Sequence, residues 1–341
     1  MASQQQLYEH KENLSRILAC LREKGEMTRK ELARQTSLSW GCVSESLSDL
    51  ISRGLVVEEK ASGHQGMGRV PLCLKLSDRF FFLGVDVNEM GLRACVMDLS
   101  GSPHAFFEAP QKGSDEESVC QGVLEFTNEI LKQHPSILGV GFAMQGIYDG
   151  ERDAWLFPVA GERISLCLSS FLRKRLLIPF YTEHDPNCAL LSETDHNREA
   201  RRLLLRLDGG VGAALGQGKN LFREGLLELG ETVIDSQGTR LHEVITLNAM
   251  EKNVKEGLCS EEEFLHRGSL ILGTVLGNLC HCFALDEILL CGRMLRYEER
   301  ILPPLCEALA RVHPAPPAVR RAKKADPALG AARLAAERHI Y

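Results

Sequence analysis

Residues 28–54 read TRKELARQTSLSWGCVSESLSDLISRG, and this stretch predicts two helices separated by a tight turn. Thr28, with Glu31 three residues later, forms a capping box, so we expect a helix to begin there. Ser39 has the position of a cap for the next helix, which carries apolar residues at helical spacing and stops at Gly54. The pattern is typical of a helix-turn-helix.

The sequence on both sides extends this unit. Asn13–Gly25 repeats apolar residues along one face of a helix. Leu55–Lys60 and Val70–Leu76 have the composition of strands, and the segment between them is rich in glycine. Three helices followed by a two-stranded ribbon predict a winged helix-turn-helix domain over residues 1–77.

A winged helix inserts its third helix into the major groove of DNA, where the base edges carry a distinct pattern of donors and acceptors. Arg69 is flanked by glycine and proline, a setting that suits a side chain entering a narrow minor groove. The candidate DNA-binding residues are Arg29, Ser39, Trp40, Gly41, Ser44, Glu45, Gln65 and Arg69. The alternatives are a helical module for docking or dimerisation, and a solvated hairpin tip around Arg69.

Charge is divided unevenly along the 341 residues. The chain has 40 Lys and Arg against 46 Asp and Glu, a formal charge of −6, yet residues 1–77 carry 11 basic and 9 acidic side chains. The first segment therefore suits a polyanion such as nucleic acid, whereas the acidic remainder would be repelled by one.

Three further features bear on the compartment. No apolar run reaches the roughly 18 residues that a membrane span needs. The segment Met1–His10 is polar and unlike a signal peptide, and the 12 cysteines include no CxxC pair. We therefore expect a cytoplasmic protein with reduced thiols.

The rest of the sequence alternates strands and helices. Phe80–Val87 and Leu138–Ala143 are apolar runs of strand length, and Ser114–His134 between them has helical periodicity. Several of the later strands end in glycine-rich turns. This alternation predicts an α/β architecture.

Eight motifs follow the winged helix in order. They are Gly84-Val85-Asp86-Val87, Asp98-Leu99-Ser100-Gly101, Gly139-Val140-Gly141 with Gln145-Gly146-Ile147, Glu183-His184-Asp185-Pro186-Asn187, Asp208-Gly209-Gly210-Val211-Gly212, Glu228-Leu229-Gly230, Leu290-Cys291-Gly292, and Asp326-Pro327-Ala328-Leu329-Gly330-Ala331-Ala332. In order and spacing the series resembles the ROK family (repressors, open reading frames and kinases), specifically its DNA-binding repressor branch. The resemblance covers essentially the whole chain.

The resemblance implies a two-lobed, actin-like fold of the sugar kinase and ribonuclease H type. Lobe 1 would span residues 78–186 and be completed by a C-terminal helix at 325–341, and lobe 2 would span 187–324. A sugar would lie in the cleft near Asp185, whose counterpart in kinase members is the catalytic base. The candidate effector-binding residues are Asp185, Asn187, Glu228, Glu231 and Glu243. The alternative is a set of solvated acids in a degenerate cleft.

Both phosphate loops depart from the kinase pattern of the family. Asp86 is followed by Val87-Asn88-Glu89 in place of glycines, which removes the bare backbone that holds phosphate. Asp208 and Gly209 stand where the family has Gly-Thr, so the threonine hydroxyl is lost and an acid is added. We therefore expect no kinase activity, no catalytic residues and no nucleotide cofactor.

The family's zinc motif is also missing. Glu231 follows Glu228-Leu229-Gly230 where the family has histidine, and the cysteine-rich stretch is reduced to Asp235–Arg240 without a cysteine. Zinc in structural sites is held by about four nitrogen or sulfur ligands, so we expect no metal. The added acid Glu231 favours an effector that carries a positive charge, such as an amino sugar.

Together these observations predict a sugar-responsive transcriptional regulator, a repressor in the first instance. Its partners would be double-stranded operator DNA, a sugar or sugar-derivative effector, and further copies of itself in a homodimer or homotetramer. Two alternatives remain open from the sequence. One is a sugar kinase with a fused DNA-binding domain, and the other is a DNA-binding protein that responds to no effector.

Overall fold

The computed structural model describes residues 4–60, 72–159, 161–193, 199–218, 220–222 and 227–340. The described residues form two compact units. Unit 1 is drawn from Met1–Phe142, Pro158–Thr182 and Ala331–Tyr341, and unit 2 from Ala143–Phe157 and Glu183–Gly330. Among the helices of these ranges, none has both the length and the apolar composition required to cross a bilayer.

Unit 1 begins with the predicted winged helix. Its elements are α1 (Gln4–Lys24), α2 (Arg29–Thr36), α3 (Trp40–Ser52), β1 (Val56–Lys60) and β2 (Leu72–Leu76). The two strands pair antiparallel, with Val56 opposite Leu76. Buried leucines from all three helices and from β2 form its core, since Leu18, Leu32, Leu47 and Leu74 are fully buried.

The first helix starts nine residues before the predicted Asn13. Its first two turns are polar and glutamine-rich, so they lack the apolar repeat on which the sequence prediction depended. The tip of the wing, including Gln65 and Arg69, lies outside the described residues.

The rest of unit 1 is built on a five-stranded sheet of order β10-β6-β3-β4-β5. The elements are β3 (Phe81–Asn88), β4 (Gly91–Asp98), β5 (Pro103–Ala109), α4 (Glu116–Gln133), β6 (Ile137–Met144), β7 (Ile147–Asp149), β8 (Ala154–Val159), β9 (Glu162–Leu166), α5 (Leu168–Arg173) and β10 (Phe180–His184). Of these elements, β7 lies wholly in unit 2, as do most of β8 and the last two residues of β6 and of β10; β7 pairs antiparallel with β8.

Unit 2 contains a second five-stranded sheet, of order β13-β12-β11-β14-β15. Its elements are α6 (Asp185–Glu193), β11 (Arg201–Leu207), β12 (Val211–Gln217), β13 (Asn220–Leu221), α7 (His242–Ile245), α8 (Leu247–Lys255), α9 (Glu261–Cys282), β14 (Glu287–Cys291), α10 (Glu298–Val312) and β15 (Ala318–Arg321). Strand β11 pairs antiparallel with β12 and parallel with β14. The long helices α9 and α10 cover the core of leucine and isoleucine side chains that this sheet presents.

The last helix, α11 (Pro327–Ile340), packs on the sheet of unit 1. A Cβ at Gly141 on β6 would lie 2.0 Å from the carbonyl oxygen of Ala331, so only glycine permits this approach. The winged-helix domain contacts the end of α11, because Arg53 Nη1 donates to the Ile340 carbonyl at 3.0 Å.

A second tie joins the winged helix to the same unit. Arg22 Nε donates to the Leu99 carbonyl at 2.8 Å. These ties explain why residues 1–77, which the sequence separates as a domain, group in unit 1 with the residues that follow. The segment Ala143–Phe157 falls in unit 2, whereas the sequence placed it in the first lobe.

Candidate DNA-binding surface and effector site

The first turn of α3 forms the proposed DNA-reading surface. Ser39 Oγ accepts a hydrogen bond from the Cys42 amide at 3.2 Å, which is the cap expected from the sequence. Trp40 is 58% exposed although it is a large aromatic side chain. The residues of α3 that face away from the core are Trp40, Gly41, Ser44, Glu45 and Ser48. The structure therefore brings together the candidates drawn from Ser39 to Glu45.

Arg29, the candidate phosphate contact of α2, is held by an acid. Its Nε and Nη2 donate to the two carboxylate oxygens of Glu58 on β1, at 2.8 and 3.2 Å. This hydrogen bonding raises the pKa of Arg29 and lowers the pKa of Glu58. A phosphate contact by Arg29 would therefore have to share the guanidinium with Glu58 or displace that carboxylate.

In unit 2, Asp185 is the first residue of α6 and directly follows β10. It is 4% exposed. Its Oδ2 accepts a hydrogen bond from Arg206 Nη1 at 2.7 Å, and its Oδ1 lies 3.6 Å from His184 Nε2. The ring of His184 packs in turn against Trp155, with centroids 6.1 Å apart. The carboxylate is thus both covered and neutralised by a cation.

Arg206 links Asp185 to a second acid. From β11, its Nε donates to Asp208 Oδ2 at 2.7 Å, and the amide of Arg293 donates to Asp208 Oδ1 at 2.7 Å. Burial pushes the pKa of Asp208 upward, but the charge and hydrogen bond of Arg206, with the contacts of Arg293, bring it below its usual value. The result is a continuous row of alternating charges from Asp185 to Arg293.

Asn187 lies in the same turn as Asp185 but has a different partner. Its amide Nδ2 donates to Glu183 Oε1 at 2.9 Å, and the same oxygen accepts the His184 amide at 3.0 Å. Asn187 is half-buried. This contact holds the start of α6 against the end of β10.

The three glutamates of the effector set lie around the shortened loop. Glu228 is half-buried and precedes a 3-10 turn that ends at Glu231. Glu231 forms an ion pair with Arg240, and Glu243 accepts a hydrogen bond from the Arg240 amide at 2.7 Å. The structure therefore joins Glu231 and Glu243 through Arg240, while Asp185 belongs to the separate row around Arg206.

Comparisons with known proteins agree with this geometry. A family model described as a winged helix-turn-helix DNA-binding domain matches residues 11–57. A crystal structure of a ROK family transcriptional regulator, a homolog of the E. coli MLC protein, superposes with a TM-score of 0.80 at 16% identity, over 97% of this chain and 96% of that one. The chain is a winged-helix protein with the ROK fold.

Enzymes share the ROK part of the fold. The ROK hexokinase from Thermus thermophilus superposes with a TM-score of 0.62 at 19% identity, over 75% of this chain and 98% of that one. The resemblance drawn from the sequence and the expected fold class are both confirmed.

Curated relatives include repressors. A xylose repressor from Caldicellulosiruptor bescii is 25% identical over 235 residues, which are 65% of this chain and 58% of that protein. A xylose repressor from Staphylococcus xylosus is 21% identical over 280 residues, 78% of this chain and 70% of that protein. The chain thus spans little more than half the length of the first of these relatives.

The two loops that the sequence comparison with the ROK family singled out contain side-chain contacts of their own. Between β3 and β4, Asn88 Oδ1 accepts the Met90 amide at 2.9 Å, and its Nδ2 donates to Asp86 at 3.1 Å. In the second loop, Asp208 brings the carboxylate described above, with Arg206 and Arg293 bound to it. Polar side chains thus bind the backbone and one another in both loops, and the expectation that the loops hold no nucleotide stays a prediction.

The loop that replaces the zinc motif is closed by one carboxylate. Asp235 Oδ1 accepts the amides of Gln237 and Thr239 at 2.9 and 3.0 Å. The hydrogen bonds from Thr239 lower the pKa of Asp235. These bonds stabilise the turn, and the expectation that no metal binds stays a prediction.

Three arginines that were not among the predicted site residues hold the acids: Arg206, Arg240 and Arg293. For Arg206 a signal existed, because it precedes Asp208 by two residues on a strand and so projects from the same face. Arg293 and Arg240 offered no comparable signal. Arg293 is 85 residues from Asp208 in the chain, and Arg240 is nine residues from Glu231 across a loop.

Proposed function

We propose that this protein is a sugar-responsive transcriptional repressor that binds operator DNA through α3. The observation that carries the proposal is the winged helix, with its exposed first turn of α3, joined to the ROK fold. Proteins named as repressors among the relatives support the same function. A repressor of this kind would act where the chromosome lies, which agrees with the expected cytoplasmic location.

The effector in this proposal is a sugar or sugar derivative that binds unit 2 near Asp185. Carboxylates suit sugars because they accept hydrogen bonds from neighbouring hydroxyls. Asp185 carries Arg206 in this structure, so a sugar would have to exchange places with that guanidinium or share it. Two of the relatives are named xylose repressors, which makes xylose the first sugar to test.

The ion pairs also argue against a cationic effector. Glu231 was the reason to expect one, but it is paired with Arg240. Asp185 is likewise paired with Arg206, so neither acid presents an uncompensated charge. We therefore propose a neutral sugar ahead of an amino sugar.

The same contacts support a function without phosphoryl transfer. A catalytic base must be within hydrogen-bond reach of the sugar hydroxyl and ready to accept its proton. Asp185 Oδ2 instead accepts from Arg206, and the Asp208 carboxylate lies in the second loop with Arg206 and Arg293 bound to it.

Assembly follows from the geometry of DNA reading. A single winged helix contacts only a short half-site, whereas a pair of copies would contact two half-sites about one helical turn apart. We therefore propose a homodimer or homotetramer as the species that binds DNA. Effector binding would shift the equilibrium between two arrangements of the copies by its difference in affinity for them.

The test is a binding titration with the full-length protein and labelled duplexes from the region upstream of its own gene. We expect specific binding that xylose or one other sugar of a panel weakens. Specific binding that no sugar changes would support the protein without effector response, and the sugar part of the proposal would be wrong. Absence of specific binding, together with ATP-dependent sugar phosphorylation, would overturn the proposal in favour of the kinase.

A further inference from the structure

Helix α3 has a chemistry that limits which bases it is able to read. The sequence of α3, Trp40–Ser52, contains no lysine or arginine. The common contact to guanine, a bidentate bond from Arg or Lys to O6 and N7, is therefore unavailable to this helix. The groups that it offers outward are two serine hydroxyls, one indole and the carboxylate of Glu45.

Glu45 differs from the neighbouring acids in having no counterion. Asp49, one turn later on the same helix, lies 3.5 Å from His10 Nε2 and 3.6 Å from Arg53 Nη1. Glu58 on β1 is paired with Arg29. Glu45 is exposed and makes no ion pair within the described ranges.

Gly41 stands next to Glu45 on this face, one helical turn earlier. A Cβ at Gly41 would meet only Ser39 Oγ, at 3.9 Å, so the protein's own packing does not require a glycine there. Glycine inside a helix costs stability relative to alanine. The missing side chain therefore leaves room beside Glu45 for a body outside the protein.

A carboxylate that approaches DNA is repelled by the phosphates unless a donor receives it. The major groove offers two kinds of amino donor, N4 of cytosine and N6 of adenine. The adenine amino group lies beside the N7 acceptor, which repels a carboxylate and suits an amide instead. Cytosine is thus the base that matches an acid.

From this geometry we propose that Glu45 reads cytosine in each operator half-site by accepting a hydrogen bond from its N4 amino group. The proposal rests on the proposed function, because it names the base that the same helix contacts. Gly41 allows the close approach, and Glu45 sets the specificity at one base pair.

The experiment is selection of binding sites from a library of random duplexes by the full-length protein, the Glu45→Gln variant and the Asp49→Asn variant. Asp49→Asn removes the same charge from the same helix but at a paired position, so it controls for general electrostatics. Circular dichroism of the three proteins checks that each remains folded.

We expect the wild-type protein and Asp49→Asn to enrich the same motif, with cytosine at a fixed position of each half-site. Glu45→Gln should lose that preference in favour of adenine, whose N6 and N7 match an amide, and should bind the wild-type motif about tenfold more weakly. An unchanged motif with Glu45→Gln, or a wild-type motif without that cytosine, would overturn the inference while leaving the repressor intact. Enrichment of no motif by any of the proteins would overturn the proposed function and this inference with it.

Discussion

Gly41→Ala is expected to make the protein more stable and a weaker DNA binder. Gly41 is the second residue of α3, and its helical backbone accepts alanine without strain. Alanine is better than glycine in a helix by about 0.5–1 kcal/mol, and no atom closer than 3.9 Å opposes the added methyl. We expect a gain near the lower figure, because the position lies in the first turn.

The effect on DNA binding has the opposite sign. If the bare face at Gly41 admits the edge of a base, a methyl group there acts as overpacking, which costs about 1–2 kcal/mol in a close interface. That corresponds to roughly a five- to thirtyfold increase in Kd. The expected pair of results is a slightly higher melting temperature and a clearly lower affinity for the operator.

Thermal melting followed by circular dichroism measures the first quantity, and fluorescence anisotropy with a labelled operator measures the second. Gly268→Ala on α9 is the matched control, because a Cβ there would lie 2.1 Å from the Val244 carbonyl oxygen. That variant should lose stability. If Gly41→Ala lowers the melting temperature, or leaves the operator affinity unchanged, the assignment of an open face at Gly41 is wrong.

Two further predictions concern paired charges. Glu58→Gln should free Arg29 and tighten binding to any duplex, and the dependence of the binding constant on salt should become steeper by about one released ion. Glu59→Gln, which leaves Arg29 paired, is the control. Equal titration curves for both variants would show that Arg29 does not reach phosphate. The second prediction follows from the pKa of Asp208, which folding lowers. The ionised Asp208 therefore stabilises the fold at pH values above the pKa of an unfolded aspartate, about 3.9. This contribution is lost as the pH falls through the lower pKa of the folded state. The free energy of unfolding, measured with urea from pH 5 to roughly two pH units lower, should therefore fall less for Asp208→Asn than for the wild type. Parallel plots of this free energy against pH would contradict the role given to Arg206.

Local rules predicted the winged helix well. The capping box of Thr28 with Glu31 and the Ser39 cap are both present, because each depends on residues three apart in the chain. The start of α1 was wrong by nine residues, since its polar first turns are not marked by apolar periodicity. The order of motifs was sufficient to predict the ROK fold, which is confirmed.

The arginine partners of the acids at the candidate effector site could not be predicted from the sequence. Asp185 was chosen because it matches a family position and Glu231 because it replaces the family's histidine, and the sequence contained no sign that both are paired with arginines. Arg206 reaches Asp185 across 21 residues of chain, and Arg293 reaches Asp208 across 85. Such partners depend on which strands lie side by side.

Local patterns in the sequence were thus enough to predict the winged helix and the ROK fold, and to nominate the acids of the candidate site. Helix caps and apolar periodicity depend on residues a few positions apart, and motif order is read directly from the chain, so none of them requires knowledge of the tertiary contacts. The pairing of acids with arginines, and the contrast on α3 between the paired Asp49 and the exposed Glu45, depend on the three-dimensional arrangement of the chain. Charge compensation is settled by distances of a few ångströms between segments far apart in the chain, and the order of residues does not contain those distances.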